Sequence, residues 1–192
     1  MKLLNLVQNS RSYRRFDENY RIDGETLHAL IRLAQYSPSG RNRQPLKFWL
    51  SNTPEMNAII FSNLSWAGDL KDWPGPAKGE RPSAYILILG DTAIRESFGI
   101  DHGIAAQSIL LGAVEAGLGG CMLSSAKTDI ISQALHIPDR YKIQLVIALG
   151  KPAEKVVVDI VDEGADLTYY RDENDVHHVP KRGLGELILH DV

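Results

Sequence analysis

The chain has 192 residues, 44% of them hydrophobic, with 21 basic and 24 acidic side chains and a net charge of −3. This predicts one soluble domain over 1–192 with a core of its own, and it excludes a disordered chain. The near-balanced charge offers no global field for nucleic acid or a membrane surface, and the single cysteine, Cys121, excludes an intrachain disulfide framework and a multi-cysteine zinc site.

Met1–Gln8 is too short and too polar for a signal-peptide core. No run approaches the roughly 20 apolar residues of a membrane span. A cytoplasmic location is therefore the expectation. Residues 3–15 are expected to form a short helix that leads into Arg11-Ser12-Tyr13-Arg14-Arg15-Phe16. A second helix is expected over 24–36, with Asp23 as N-cap and Leu27, Leu30, Ile31 and Ala34 as its apolar stripe. Pro38 closes it and opens the loop Ser37-Pro38-Ser39-Gly40-Arg41-Asn42-Arg43-Gln44-Pro45. Leu46–Ser51 has the alternation of a strand, and Pro54–Phe61 reads as a helix.

Residues 62–82 lack a period and carry Trp66, Trp73 and several Gly and Pro. Two tryptophans in such a segment fit a lid, a subunit contact or a packed structural loop. Asn63-Leu64-Ser65 matches a glycosylation sequon, which carries little meaning without a secretory signal. Ala84–Gly90 is a continuous apolar run, as in a strand buried on both faces. Ile100–Ala116 is a long apolar helix ending at Gly117, suited to the centre of the domain or a dimer interface. Cys121–Ser124 is expected to be a short strand with Cys121 as a buried structural thiol. Thr128 is expected to cap a helix that stops before Pro138, and Ile143–Leu149 to be a buried strand ended by Gly150 and Pro152. The tail, 153–192, has weak core patterning and reads as an extended arm that returns to a site or wraps a partner.

Several chemistries find no motif. No G-x-G-x-x-G follows a strand, and no P-loop or nucleophile elbow is present. Adjacent His177 and His178 would point to opposite faces of a strand, which argues against a shared metal. His102 beside Asp101 reads as a structural histidine. The absence of an acid–base or nucleophile constellation suits an enzyme whose cofactor carries the chemistry.

What remains is the Arg11–Phe16 cluster and the Ser37–Pro45 loop. Arginines alone are usually a solvated helix face, and a Ser-Pro-Ser-Gly run alone is usually a helix-ending loop. Together they supply guanidinium forks for a phosphate and backbone amides for a flat ring. In this order and spacing they resemble the FMN-dependent nitroreductase family. The resemblance extends to Asp101–Ala113 with Gly117-Leu118-Gly119-Gly120, to Leu145–Gly150 with Pro152, and to Pro180-Lys181-Arg182.

That resemblance implies an α+β fold: a mixed sheet flanked by helices, a long central interface helix and an extended C-terminal arm. It implies a homodimer with FMN at the subunit interface. By the family pattern Arg11, Ser12, Lys181 and Arg182 hold the ribityl phosphate, and Arg14 approaches the pyrimidine edge as an electrostatic stabiliser. Pro38, Ser39, Gly40 and Asn42 come from the partner subunit to the flavin ring. The backbone of Leu123, Ser124 and Ser125 lies near its central ring. No side chain is expected to act as a catalytic acid, base or nucleophile. The implied activity is ping-pong transfer of hydride from NAD(P)H to a small planar acceptor such as a nitroaromatic or quinone. The alternatives are a non-catalytic flavin sensor or carrier, and an interaction domain without flavin.

The chain departs from the family pattern in places. Ser10 stands where many members have Arg, and Leu46 follows Gln44-Pro45 where an aromatic is frequent. A glycine usually found near Ser125 is missing. The usual Asn-x-x-Lys support of the pyrimidine is not evident within Asn63–Lys71, where Ser65 and Trp66 are the candidates.

Overall fold

Every residue of the strand Ala84–Asp91 is buried, which places it at the middle of the molecule. A computed structural model describes residues 2–191. The elements in chain order are α1 (Leu3–Asn9), β1 (Phe16–Asp17), α2 (Gly24–Gln35), β2 (Leu46–Ser51), α3 (Pro54–Phe61) and β3 (Ala84–Asp91). They continue with α4 (Asp101–Glu115), β4 (Gly119–Leu123), α5 (Thr128–Ala134), β5 (Tyr141–Pro152) and β6 (Val156–Val161). The chain ends with β7 (Tyr170–Arg171), β8 (His177–Arg182) and α6 (Leu184–Leu187).

The main sheet is antiparallel. β3 pairs with β2 on one side and with β5 on the other, and the far edge of β5 pairs with β4 and then with β1. Side chains alternate along β3 and feed two cores. Ala84, Ile86 and Ile88 pack with Leu30, Ala106, Ile109 and Ala113, under α2 and α4. Tyr85, Leu87 and Leu89 pack with Ile60, Ile131 and Leu135, under α3 and α5. Coverage on both faces explains why β3 is apolar at consecutive positions and not only at alternate ones.

Most expected elements are present, and the α+β class holds. The caps explain two of them. Asp23 Oδ1 accepts from Thr26 N at 2.7 Å at the start of α2, and Gly117 takes φ +72° where α4 ends. Three expectations need correction. The first helix ends at Asn9, not at 15, because the arginine segment leaves the helix to run beside β4. There Ser12 bridges Gly120, and Tyr13 N donates to Gly120 O at 3.0 Å. Thr128 is the first helical residue of α5, the cap position falling to Lys127 without a side-chain bond. The tail is not an extended arm alone. β6 and β8 pair in parallel, with β7 antiparallel to β8, because Val156–Val161 finds His177–Arg182 as its partner.

Residues 62–82 form neither helix nor strand, yet they are packed. Trp66 is buried against Phe61, and Trp73 lies under the guanidinium of Arg171 at 4.5 Å. Among the described residues no helix is long and apolar enough to cross a membrane.

Candidate cofactor site

Gly119 lets the arginine segment approach the sheet, and Gly120 lets β4 close against β5 and α4. A Cβ on Gly120 would meet the Ala148 carbonyl at 2.6 Å, and one on Gly119 would meet Tyr13 at 2.5 Å. With that edge bare, residues 10–14 lie against β4 and α4 and open into a cavity of 390 Å³. Arg11, Ser12 and Arg14 line it from one side, Gln107 and Leu110 of α4 from below, and Tyr169, His177 and Lys181 from the C-terminal sheet. The tail thus returns to the N-terminal cluster, as one of its two readings anticipated.

Arg11 Nη2 donates to the Val7 carbonyl at 2.7 Å, while its buried Nε has no protein partner among the described residues. Arg14 Nη1 donates to the Ser12 carbonyl at 3.2 Å and lies 3.0 Å from His177 Nε2. The Arg14 guanidinium also sits over the Tyr169 ring at 4.8 Å. Burial, then the nearby Arg14 and Arg171 charges, push the His177 imidazole down to about 4.

A residue that sequence reasoning did not single out holds this corner together. The Glu154 side chain is 2% exposed. Its Oε1 accepts from the backbone amides of Arg14 and, at 3.0 Å, Arg15. Its Oε2 accepts from Arg171 Nη2 at 2.8 Å. One carboxylate therefore ties the arginine segment to the C-terminal sheet. The only sequence cue was an acid two residues after the Gly-x-Pro turn. Arg15, by contrast, is spent on ion pairs with Asp175 and, at 3.5 Å, Glu80.

The other expected residues lie elsewhere. Successive residues on a strand face opposite sides. Lys181 lines the cavity with His177 and Val179, whereas Arg182 does not line it and stands 4.0 Å from Glu186. Leu123 is buried at the end of β4, and Ser124 and Ser125 follow it on the surface outside this cavity. Ser65 N donates to the Ser125 carbonyl at 2.9 Å, which keeps Ser65 near that strand end; Trp66 belongs to the core. Buried Cys121 has its thiol pushed up by desolvation, in keeping with a structural role.

Pro38, Ser39, Gly40 and Asn42 are not brought to the arginines within one chain. Pro38 and Ser39 line a separate cavity of 320 Å³ with Phe48 and Ala105. The loop is stitched to the first turn of α4: Ser39 Oγ donates to Asp101 Oδ2 at 2.6 Å, and Gly40 N to Asp101 Oδ1 at 3.0 Å. Asp101 is 4% exposed. Arg41, Asn42 and Gln44 all take positive φ, near +50°. Held this way, the exposed loop presents Asn42 outward. Among the described residues no group of three His, Cys, Asp or Glu is placed to hold a metal ion.

The model of the Nitroreductase family matches residues 7–151, well over half of the chain. The chain belongs to this family. A nitroreductase family protein from Clostridium novyi NT is 23% identical, with TM-score 0.66, over 79% of this chain and 86% of that one. An FMN-dependent nitroreductase from Clostridium difficile R20291 is 21% identical, with TM-score 0.63, over 80% and 89%. A protein from Exiguobacterium sibiricum 255-15 crystallised in complex with FMN is 20% identical, with TM-score 0.65, over 80% and 90%. At these identities the likeness is one of fold. The family match stops at the end of β5, so Tyr169, His177 and Lys181 enter the cavity from beyond it.

Proposed function

We propose that this nitroreductase-family chain is an FMN-dependent oxidoreductase that takes hydride from NAD(P)H and delivers it to a small planar acceptor. The observation that carries this reading is the convergence of Arg11, Ser12, Arg14 and Lys181 on one cavity. The donor set fits the group. Arg11 and Lys181 with the Ser12 hydroxyl suit a phosphate, Arg14 is left for the ring, and the buried Arg11 Nε is a donor with no protein acceptor among the described residues. Bound FMN would supply the reversible two-electron chemistry that no side chain here provides.

The chain's own residues bind, orient and set charge. Arg11, Ser12 and Lys181 hold the phosphate. Arg14, anchored on His177 and Tyr169, keeps a positive charge where reduced cofactor carries its negative charge. His177 remains neutral and leaves that charge undiluted. Glu154 fixes the backbone from which Arg14 projects.

The site is completed by a second copy of the chain. The Pro38–Asn42 loop lies apart from the arginine cavity of its own chain, and the partner's loop supplies the ring contacts. Exposed apolar side chains at both ends support a dimer: Leu3 and Leu4 on α1, and Leu184, Leu187 and Leu189 at the C-terminal end. Such an interface buries about 2,000–5,000 Å². Light scattering is expected to give twice the chain mass.

The deciding experiment is the visible spectrum of the purified protein, alone and with NADH or NADPH, under anaerobic conditions. A yellow protein that bleaches and releases FMN on heating supports the reading. A yellow protein that does not bleach is a flavin sensor or carrier. A colourless protein that stays colourless after FMN reconstitution refutes flavin binding.

A further inference from the structure

A cavity of 590 Å³ lies on the other face of the main sheet, between α3 and the segment that enters β3. It shares no lining residue with the arginine cavity. Its size is that of a small-molecule site, where about 300–1,000 Å³ is usual.

Two hydroxyls within it are buried and unmatched. Tyr85 is 0% exposed and Ser83 is 4% exposed, and neither Tyr85 Oη nor Ser83 Oγ has a hydrogen-bond partner among the described residues. Buried polar groups are almost always satisfied, so a pair of orphans lining one cavity points to something that bonds them there. Asn57 cannot serve. Its Oδ1 accepts from Ser51 Oγ at 2.7 Å, and its Nδ2 donates to the Ser83 carbonyl at 2.8 Å. Those bonds fix α3 and Ser83, and they leave both hydroxyls free.

The charges around the cavity favour an anion. Arg21, Lys78 and Arg81 line it and have no ion-pair partner among the described residues. The one carboxylate there, Glu18, accepts from the Gly79 amide. The Arg81 guanidinium lies over the Phe61 ring at 4.4 Å. Contact with the ring holds the guanidinium in place, and its fork can take an acidic group through two oxygens; the apolar wall around it favours a carboxylate that carries an apolar body. Burial raises the Tyr85 phenol, which therefore stays protonated and can donate. Pro54, Ala58, Phe61 and Pro82 complete the wall with apolar surface.

We propose that this cavity is a second binding site, for a small carboxylate with a compact aromatic or apolar body. Tyr85, Ser83 and Arg81 take the carboxylate, and the Phe61 side receives the body. The site is independent of flavin binding and lies across the sheet from it.

The test is calorimetric titration of the full-length protein with benzoate, using neutral benzamide as control. Benzoate is expected to bind saturably at millimolar concentrations and benzamide not to bind. Tyr85→Phe and Arg81→Gln are each expected to weaken benzoate by about tenfold or more, the loss of one charge-assisted bond. Added FMN is expected to leave the benzoate isotherm unchanged. Absence of saturable binding overturns the proposal. So does an affinity unchanged from wild type in both variants, or displacement by FMN. If Tyr85→Phe fails to fold, Arg81→Gln at the half-buried rim decides alone.

Discussion

Arg14 Nη1 lies 3.0 Å from His177 Nε2, and of the two only the imidazole can accept. Arginine carries no acceptor and does not lose its proton, so Nε2 is unprotonated and the His177 proton sits on Nδ1. The pair is one cation and one neutral ring.

That assignment sets a pH dependence. Folded His177 titrates at about 4, against an ordinary value of 6.5. Between those values the unfolded chain binds the extra proton and the folded chain does not, so stability rises with pH across this window. On acidification from 6.5 to 4 the stabilisation is lost. His178, the next residue but on the other strand face, is shifted upward by its bond to Asp159 and contributes with the opposite sign. Urea midpoints of wild type and His177→Gln are expected to diverge most above pH 6.5 and to converge toward pH 4. Parallel curves would show that His177 is charged or solvated in the fold.

Glu154 gives the second prediction. Its carboxylate accepts from two backbone amides and from Arg171, with both side chains mostly buried. Removing one partner of a buried pair costs about 3–5 kcal/mol, because the other charge stays behind. Glu154→Ala is expected to lose stability of that order in denaturant titration. Limited proteolysis is expected to cut first within 153–191, the segment the carboxylate ties down. An unchanged midpoint would mean that the clamp contributes nothing in solution.

The places where the sequence was readable, and where it was not, divide along local and long-range causes. Asp23, Gly117 and the apolar run of β3 act within a few residues, and each marks its element. The run from Ser10 to Arg15 has ordinary helix formers, and nothing nearby says that Gly120 and Glu154 will take its amides. Likewise Val156–Val161 is apolar enough for a strand, but its partner lies at 177–182. The arginine cluster and Lys181 were visible as chemistry. That Arg182 would stand apart from Lys181 follows from strand alternation, once β8 is known to be a strand.

The third prediction uses that alternation. Lys181 lines the arginine cavity and Arg182 does not. A charge-assisted contact contributes about 1.5–3 kcal/mol, which is roughly ten- to hundredfold in affinity. Lys181→Ala is expected to weaken FMN retention by that factor, and Arg182→Ala by much less. Equilibrium dialysis of reconstituted protein measures both. A larger loss from Arg182→Ala would transfer to it the phosphate role that the family pattern gives to both residues.

The last prediction separates the electrical role of Arg14 from its structural one. Its guanidinium is anchored by His177, Tyr169 and the Ser12 carbonyl, so it can hold a charge at a fixed place in the cavity. A fixed positive charge near the pyrimidine edge favours the reduced, anionic cofactor over the oxidised one. Only the difference between the two redox states moves the midpoint potential. About 1.4 kcal/mol of such difference is roughly 30 mV for a two-electron couple. Arg14→Ala is therefore expected to lower the potential of the bound flavin by some tens of millivolts and to slow its reduction by NAD(P)H. Arg14→Lys keeps the charge but loses the planar fork, and is expected to restore part of the potential. A purely structural Arg14 predicts a different pattern. The alanine variant would lose stability, since His177 Nε2 would be left without its donor, while the flavin that remained bound would keep its potential. Redox titration beside denaturant titration, on wild type and both variants, tells the two apart. An unchanged potential in Arg14→Ala would remove the residue from the electrostatics of the reaction.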